Sequence, residues 1–564
     1  MDVSSSPVAV ADHPAAEDYC HPCAWDVPFQ SVTVPDLLAN SVAAAPDAPL
    51  ADFMGRIYSY REIHDEAARF ASGLIARGIG KGDRVGLFLP NVPIYLSAYY
   101  GAMMAGATTV NFSPLYTAEE LSAQVADSGT RLLVTVDVAS LLPTALKVLD
   151  GSDLETLVVG RLGQMLPLAK RIALAVLGRK SLSAIPARGD VIQWNDCLGI
   201  GGGDLPHIDP ADLALLQYTG GTTGRPKGAM LSHANLATNA QQVDAIDPFE
   251  ERDVILGVLP MFHVFANTCV LNRTVTKGGC IAMLPRFDAA QALKTLERTK
   301  ATSFPGVPTM YQALLDHPRI AKTDFSSLKV CISGGAPLPA PVREQWEAQT
   351  GARLVEGYGL TESSGVVSTN PYEGERRPGT IGQVLPGTRV ILLDKEDASR
   401  LADPGQPGEL VINGPQVMQG YWNLPDAAVT AFAEINGERW LRTGDVAVVE
   451  EGGFIRIVDR IKDMIAVGGF KVFPSQVEAV LLDNPAVKEA LVLGLPDDYR
   501  GEKPHAYVTL NPDANTTGEA LTDWLNARVG KHERVSGVTI RDEMPKTMIG
   551  KLDRKALRLE VLGS

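Results

Sequence analysis

Apolar and polar positions alternate with different periods along this chain and divide it into regions. Beyond a polar leader to about residue 30, helix and strand signals take turns. Ser59 and Glu62 have the spacing of a capping box at the head of an amphipathic stretch that stops near Gly78. Residues 85–89 read as a strand, Pro93 starts a second helix, and 107–110 form another short strand. Thr117 and Glu120 cap the next helix, and 132–136 follow as a strand. That βαβαβ order predicts a parallel sheet covered by helices, and a similar alternation returns from 229 to about 355. From 382 to 449 the pattern changes to short β-rich runs broken by Pro-Gly turns at 386–387, 404–405 and 407–408, which predicts a smaller β subdomain. A strand at 455–458 runs into the charged break Asp459-Arg460-Ile461-Lys462-Asp463, beyond which a compact α/β unit is expected.

The predicted fold class is therefore α/β. A large domain over 31–459 carries parallel sheets and a β-rich part at about 382–459; a hinge at 460–462 joins it to a smaller domain over 463–564.

Composition narrows the function classes. The 564 residues, 45% of them hydrophobic, exceed what one core accommodates. A net charge of −15 argues against a general nucleic-acid binder. From Ile461 onward fourteen Lys+Arg face fifteen Asp+Glu, so nearly all the excess acid lies upstream. Six cysteines suit a reducing compartment. Cys20-His21-Pro22-Cys23 has zinc-like or redox-like spacing, but no second pair follows, and an incidental pair is the expectation. No basic leader precedes an apolar run, and no run approaches the ~18 apolar residues of a membrane span. A cytoplasmic protein is expected.

One segment departs from the acidic background. Residues 161–188 hold Arg161, Lys170, Arg171, Arg179, Lys180 and Arg188 and no acid. Met165, Leu168, Ala169, Ile172, Ala173 and Val176 fall on one helical face, with Lys170 and Arg171 opposite and Leu174 spoiling the polar side. Two readings stand side by side: a surface helix packed on its own domain, or an interfacial helix attracted to anionic lipid.

The chemistry sits in separated blocks. Thr219-Gly220-Gly221-Thr222-Thr223-Gly224-Arg225-Pro226-Lys227 follows an apolar run at 213–218 suited to a buried strand. Glycines let backbone N–H groups crowd an anion, and the three threonines with Lys227 point to phosphate. No Gly-Lys-Ser/Thr follows at Walker A spacing. Glu356-Gly357-Tyr358-Gly359-Leu360-Thr361-Glu362 sets an aromatic ring among glycines and ends on a hard oxygen ligand suited to Mg²⁺. Ser333-Gly334-Gly335-Ala336-Pro337, Pro260-Met261-Phe262-His263-Val264-Phe265, Trp440-Leu441-Arg442-Thr443-Gly444-Asp445 and Pro545-Lys546-Thr547-Met548-Ile549-Gly550-Lys551 complete the set.

In these blocks, from about residue 30 to the end, the chain resembles the adenylate-forming enzymes: acyl-CoA synthetases, peptide-synthetase adenylation domains and luciferases. It looks closest to bacterial long-chain fatty acid–CoA ligases, because Gly221 stands where most members carry serine. The resemblance implies that fold, with a mobile C-terminal domain, ATP and coenzyme A as substrates, and Mg²⁺. It implies that Thr219, Gly220, Gly221, Thr222, Thr223, Gly224 and Lys227 hold the ATP phosphates, with Thr361 a further contact. Gly335, Ala336, Pro337, Glu356, Gly357, Tyr358 and Gly359 would frame the adenine, Asp445 and Arg460 would contact the ribose, and Ile457 would be a further ATP/AMP contact. Glu362 and Thr219 would hold the metal; Phe262, His263, Val264, Gly334 and Gly359 would line the acyl pocket. Lys551 would act in adenylation, then leave as the small domain turns about Lys462, bringing Val467, Gly468, Gly469 and Phe470 to the pantetheine tunnel. Gly468 replaces a common serine, and Lys531-His532-Glu533-Arg534-Val535-Ser536 lacks the usual proline.

The activity so implied is activation of a fatty acid, long-chain by preference, to acyl-AMP and its transfer to CoA. The alternatives are a ligase for an aryl or medium-chain acid, a fatty acyl-AMP ligase serving a carrier protein, a luciferase-like oxygenase, and a non-catalytic acyl-CoA or nucleotide sensor. The reading leaves room for a homodimer and for peripheral membrane contact through 161–188.

Overall fold

The capping signals open helices where the pattern places them. The Ser59 hydroxyl accepts from the Glu62 amide, the Glu62 carboxylate accepts from the Ser59 amide, and the helix Tyr60–Ile75 follows. Thr117 and Glu120 do the same for Ala118–Ser128. Pro93 begins Pro93–Met104, where a missing N–H costs nothing. That helix is buried along its whole length, as its almost unbroken apolar sequence demands, and packs on Tyr60–Ile75.

The computed structural model describes residues 12–201, 203–219, 226–394, 397–398, 400–467, 470–497, 499–512, 514–547 and 551–563, with the backbone alone at Phe470. Among these, two large sheets form the core of the chain. One runs in the order Gly420–Tyr421, Lys227–Ser232, Leu213–Thr219, Thr108–Asn111, Arg84–Leu87, Thr130–Val136, Thr156–Gly160, Val191–Gln193, parallel from Leu213–Thr219 onward. The other has parallel neighbours Arg353–Tyr358, Val330–Ser333, Ser303–Gly306, Val254–Gly257, Cys280–Met283 and Pro49–Phe53, with short antiparallel strands at its ends.

The turn-rich region builds an antiparallel sheet of Arg389–Leu393, Gly408–Asn413, Glu438–Val449, Phe432–Ile435 and Ile455–Arg460. Two strands from the same stretch go elsewhere: Gln383–Val384 ends the second large sheet and Gly420–Tyr421 the first. Past the break, Ile465–Val467, Phe470–Val472, Val487–Asp497, Gly501–Leu510 and Val538–Ile540 share a further sheet. Its core, around Val477, Leu481, Val492, Val508 and Leu521, is separate from that of the large sheets.

Residues 12–30 are packed onto the large domain. The Val390 amide donates to the Asp12 carbonyl, the Tyr19 hydroxyl to that of Val384 at 2.9 Å, and the Trp25 indole to that of Thr388 at 2.9 Å. Cys20 and Cys23 are free thiols, and no cluster of three metal-ligating side chains occurs among the described residues.

Candidate active site

Parallel register brings two of the blocks together. Val330–Ser333 and Arg353–Tyr358 are neighbours, with Ser333 opposite Glu356, so the segments 334–337 and 359–362 leave adjacent strand ends side by side. Gly359 is required by backbone crowding, since a Cβ there would strike the Gly365 carbonyl. The Glu356 carboxyl at this rim is pushed up to about 8 by burial.

Glu362 lies in the 3-10 turn Thr361–Ser363, and its carboxylate accepts from the Tyr421 hydroxyl at 2.7 Å. The Tyr421 ring in turn sits under the Lys227 ammonium, 5.1 Å from nitrogen to centroid. Lys227 is the register partner of Thr219 across an antiparallel pair. Thr219, Lys227, Tyr421 and Glu362 thus form one connected group at the meeting of the two large sheets. Gly220, Gly221, Thr222, Thr223 and Gly224 lie outside the described residues, between the anchors Thr219 and Lys227. Tyr421 escaped the sequence reading; its one signal is the aromatic pair Tyr421-Trp422 in a turn-rich stretch. One carboxylate and a hydroxyl suit Mg²⁺, which takes few protein ligands and completes its shell from phosphates and water.

Asp445 and Arg460 are cross-strand partners, and Arg460 Nε donates to Asp445 Oδ1 at 3.0 Å. The Tyr358 hydroxyl donates to Oδ2 at 2.5 Å, and burial followed by the Asp445 charge raises that phenol above its ordinary value. Asp445 is only 2% exposed, and these donors satisfy its buried oxygens. The turn before it is braced by Glu409, which accepts from Arg442 Nη2 at 2.5 Å and from the Gly444 amide at 3.3 Å. Glu409 too was invisible in the sequence. Ile457 pairs with Ala447 beside this site and packs partly buried on the main core.

The small domain contributes Lys551. Its side chain lies on Gly335, whose φ of +83° and lack of a Cβ leave it room. The loop below is tied by the Thr547 amide donating to the Lys551 carbonyl at 2.7 Å and the Lys551 amide donating to Thr547 Oγ1 at 3.1 Å. Neighbouring cations are engaged within the small domain: Lys546 with Glu489 at 2.7 Å and Arg554 with Glu478 at 2.7 Å. Burial first, then Arg460, lowers Lys551 to about 8, against the opposing pull of Asp445.

His263 is lowered to about 3 by burial and then by the Lys551 ammonium, so it is neutral at pH 7. Its Nδ1 accepts from the Phe265 amide at 3.2 Å, which assigns the proton to Nε2. Phe262 and Val264 beside it are buried, and a Cβ on Gly334 would lie 3.0 Å from the Phe265 ring. At the domain break, Lys462 is exposed in the 3-10 turn Ile461–Asp463. Buried Asp459, just before it, accepts from the Ser475 amide at 2.8 Å and so ties the two bodies across the turn. Val467 is buried and is the register partner of Phe470; Gly468 and Gly469 lie outside the described residues.

The AMP-binding enzyme family matches residues 38–422, and the AMP-binding enzyme C-terminal domain matches 476–551. The chain belongs to the AMP-binding enzymes. This AMP-binding enzyme is 36% identical over 96% of its length to a long-chain-fatty-acid–CoA ligase of Bacillus subtilis, covering 97% of that protein. It is 38% identical to one of Escherichia coli, with 95% of each chain covered. A feruloyl-CoA synthase of Amycolatopsis is 33% identical, over 91% of this chain and 96% of that one. Among solved structures, ATP-bound MatB of Rhodopseudomonas palustris superposes with a TM-score of 0.82 at 29% identity, covering 94% of this chain and 99% of MatB.

Proposed function

We propose that this AMP-binding enzyme is a long-chain fatty acid–CoA ligase. The coarser activity, adenylate-forming acyl-CoA ligation, follows from the family and from CoA-ligase relatives that match over nearly the whole chain. In the first half-reaction a carboxylate oxygen attacks the α-phosphorus of ATP and pyrophosphate leaves. In the second, the CoA thiolate attacks the acyl carbonyl carbon and the bond to AMP breaks.

The observation that carries the reading is the meeting of Lys551 with Gly335 beside the Asp445–Arg460 pair. Lys551 is the mobile charge for the reacting carboxylate and α-phosphate. Asp445, with Arg460 beside it, accepts the ribose hydroxyls, and Tyr358 packs on the adenine framed by 334–337 and 356–359. Thr219, the following Gly/Thr loop and Lys227 take the phosphates, with Thr361 beside them. Mg²⁺ held by Glu362 and Thr219 would neutralise charge on the phosphate oxygens. Neutral His263, through Nε2–H, faces the carboxylate end of the acyl pocket.

The long chain is supported by the likeness to two long-chain-fatty-acid–CoA ligases that match over nearly the whole chain. Behind Phe265, Val243, Cys269, Val330, Ile332, Val366 and Tyr372 form an apolar cluster of their own, apart from the main core. The feruloyl-CoA synthase likeness favours an aryl acid as the second reading.

CoA-ester formation across acids from acetate to oleate, with cinnamate included, decides between them. The highest kcat/KM is expected with long-chain acids. A preference for cinnamate would establish the aryl reading, and acyl-AMP that never passes to free CoA would point to a carrier-protein acceptor.

A further inference from the structure

A surface helix ordinarily turns its apolar side inward. The helix Leu168–Leu177 does the reverse, with none of its residues buried. Leu168, Ile172 and Val176 are 71%, 56% and 71% exposed, and Leu177 is 86% exposed. Their spacing of four places the first three in one row along the helix. What attaches the helix is Leu174, partly buried against the main core, and Lys170, whose ammonium donates to the Met54 carbonyl at 2.9 Å. The residue that spoiled the polar side in the sequence is therefore the anchor. Of the six positions on the expected apolar face, Met165 is buried while Leu168, Ala169, Ile172, Ala173 and Val176 face water.

The charges within the segment that carries the row have one sign. Residues 161–188 contain six cations and no acid, in a chain of net charge −15. Arg161 is engaged by Gln193 at 2.8 Å, and Arg188 by Asp150 and Asp190 at 2.7 Å each. Arg171, on the helix, and Arg179 and Lys180, in the turn just past it, are exposed.

We propose that Leu168–Leu177 and the turn Arg179–Ser181 seat the enzyme peripherally on an anionic bilayer. Apolar side chains enter the acyl boundary while Arg171, Arg179 and Lys180 meet phosphate headgroups; a protein partner would need an acidic rim to do the same. No helix among the described residues is long and apolar enough to cross a membrane, so the contact is at the surface. A fatty acid partitions into bilayers, so docking would bring the enzyme to the phase that holds its proposed substrate. The helix carries the inference by itself and stands whichever acid is used.

Cosedimentation with vesicles of phosphatidylglycerol and phosphatidylcholine, or of phosphatidylcholine alone, tests it in the full chain. The native protein is expected to bind the anionic vesicles, and to release as salt is raised to about 0.5 M. A variant with Leu168→Ser, Ile172→Ser, Val176→Ser and Leu177→Ser, and a second with Arg171→Gln, Arg179→Gln and Lys180→Gln, should each lose binding by about tenfold or more. Thermal unfolding and acyl-AMP formation in lipid-free solution should match the native protein. If the serine variant does not fold, the glutamine variant, altered only at exposed positions, still decides. Failure of the native protein to sediment, or sedimentation of the variants equal to native, overturns the proposal. So does a native dimer that the serine substitutions dissociate, since the row would then be a protein interface. The acid profile is read without vesicles, so neither result prejudges the other.

Discussion

Asp445 and Lys551 face the same site but are held there by different means. Asp445 is placed by strand register opposite Arg460, clamped by Tyr358 and braced from behind by Glu409. Every one of these partners belongs to the body before Lys462. Lys551 hangs on a short loop of a body with its own core, joined through one exposed turn and a few ties such as Asp459 to Ser475. The difference fits the proposed chemistry. On the proposed mechanism, a nucleotide held through both half-reactions would have its contacts built into sheets, and a charge used in one half-reaction would be better carried on a part that leaves.

Removing the delivered charge should have the largest effect. Lys551→Ala is expected to slow acyl-AMP formation by about 10²–10³ while thioester formation from supplied acyl-AMP stays near native. Pyrophosphate release and acyl-AMP consumption measure the two separately, and equal damage to both would erase the contrast between fixed and delivered groups.

Freezing the joint should produce the converse. Lys462→Pro fixes φ and removes an N–H in the turn between the bodies, so CoA transfer should fall by roughly tenfold or more with adenylation spared. Native turnover would place the pivot elsewhere, and Asp459→Asn, which weakens the tie to Ser475, would then be the next probe.

The fixed side is tested more gently at Tyr421. A hydrogen bond to a charged group contributes about 1.5–3 kcal/mol when buried and less when half-exposed. Tyr421→Phe should therefore raise the Mg²⁺ concentration for half-maximal adenylation several-fold, and Glu362→Gln should raise it further. Unchanged magnesium dependence in both would remove this pair from the metal site.

The smallest effect is a pH limb. Lys551 is lowered to about 8 and in the proposed role acts as the ammonium, so it is charged below that pH and loses its proton as pH rises through it. kcat/KM for adenylation should be about half its plateau near pH 8 and fall further above, whereas Lys551→Arg should show no such limb. An identical alkaline limb in the arginine variant would assign the titration to another group.

Much of the fold was legible because its signals are local. Ser59–Glu62 and Thr117–Glu120 cap their helices through contacts three residues apart, and the apolar runs at 85–89, 132–136 and 213–218 overlap the strands Arg84–Leu87, Thr130–Val136 and Leu213–Thr219. The blocks holding Thr219, Glu362, Asp445 and Lys551 were readable through their resemblance to the adenylate-forming enzymes, because each motif is a short contiguous run. Tyr421 and Glu409 were not. Their importance comes from partners at Glu362 and Gly444, which sheet pairing alone brings near.

The helix Leu168–Leu177 marks the boundary most clearly. Periodicity settles that it is amphipathic, because side chains three and four apart share a face whatever surrounds them. Which face meets the core depends on the surface waiting for it, and there Leu174 and Lys170 found partners while Leu168, Ile172 and Val176 did not. The sequence by itself determined the elements, through interactions spanning a few residues, and offered the groups proposed to react. Only the tertiary structure decided which of those groups meet and which apolar face is left to the solvent, because contacts between distant segments depend on the packing of the whole chain.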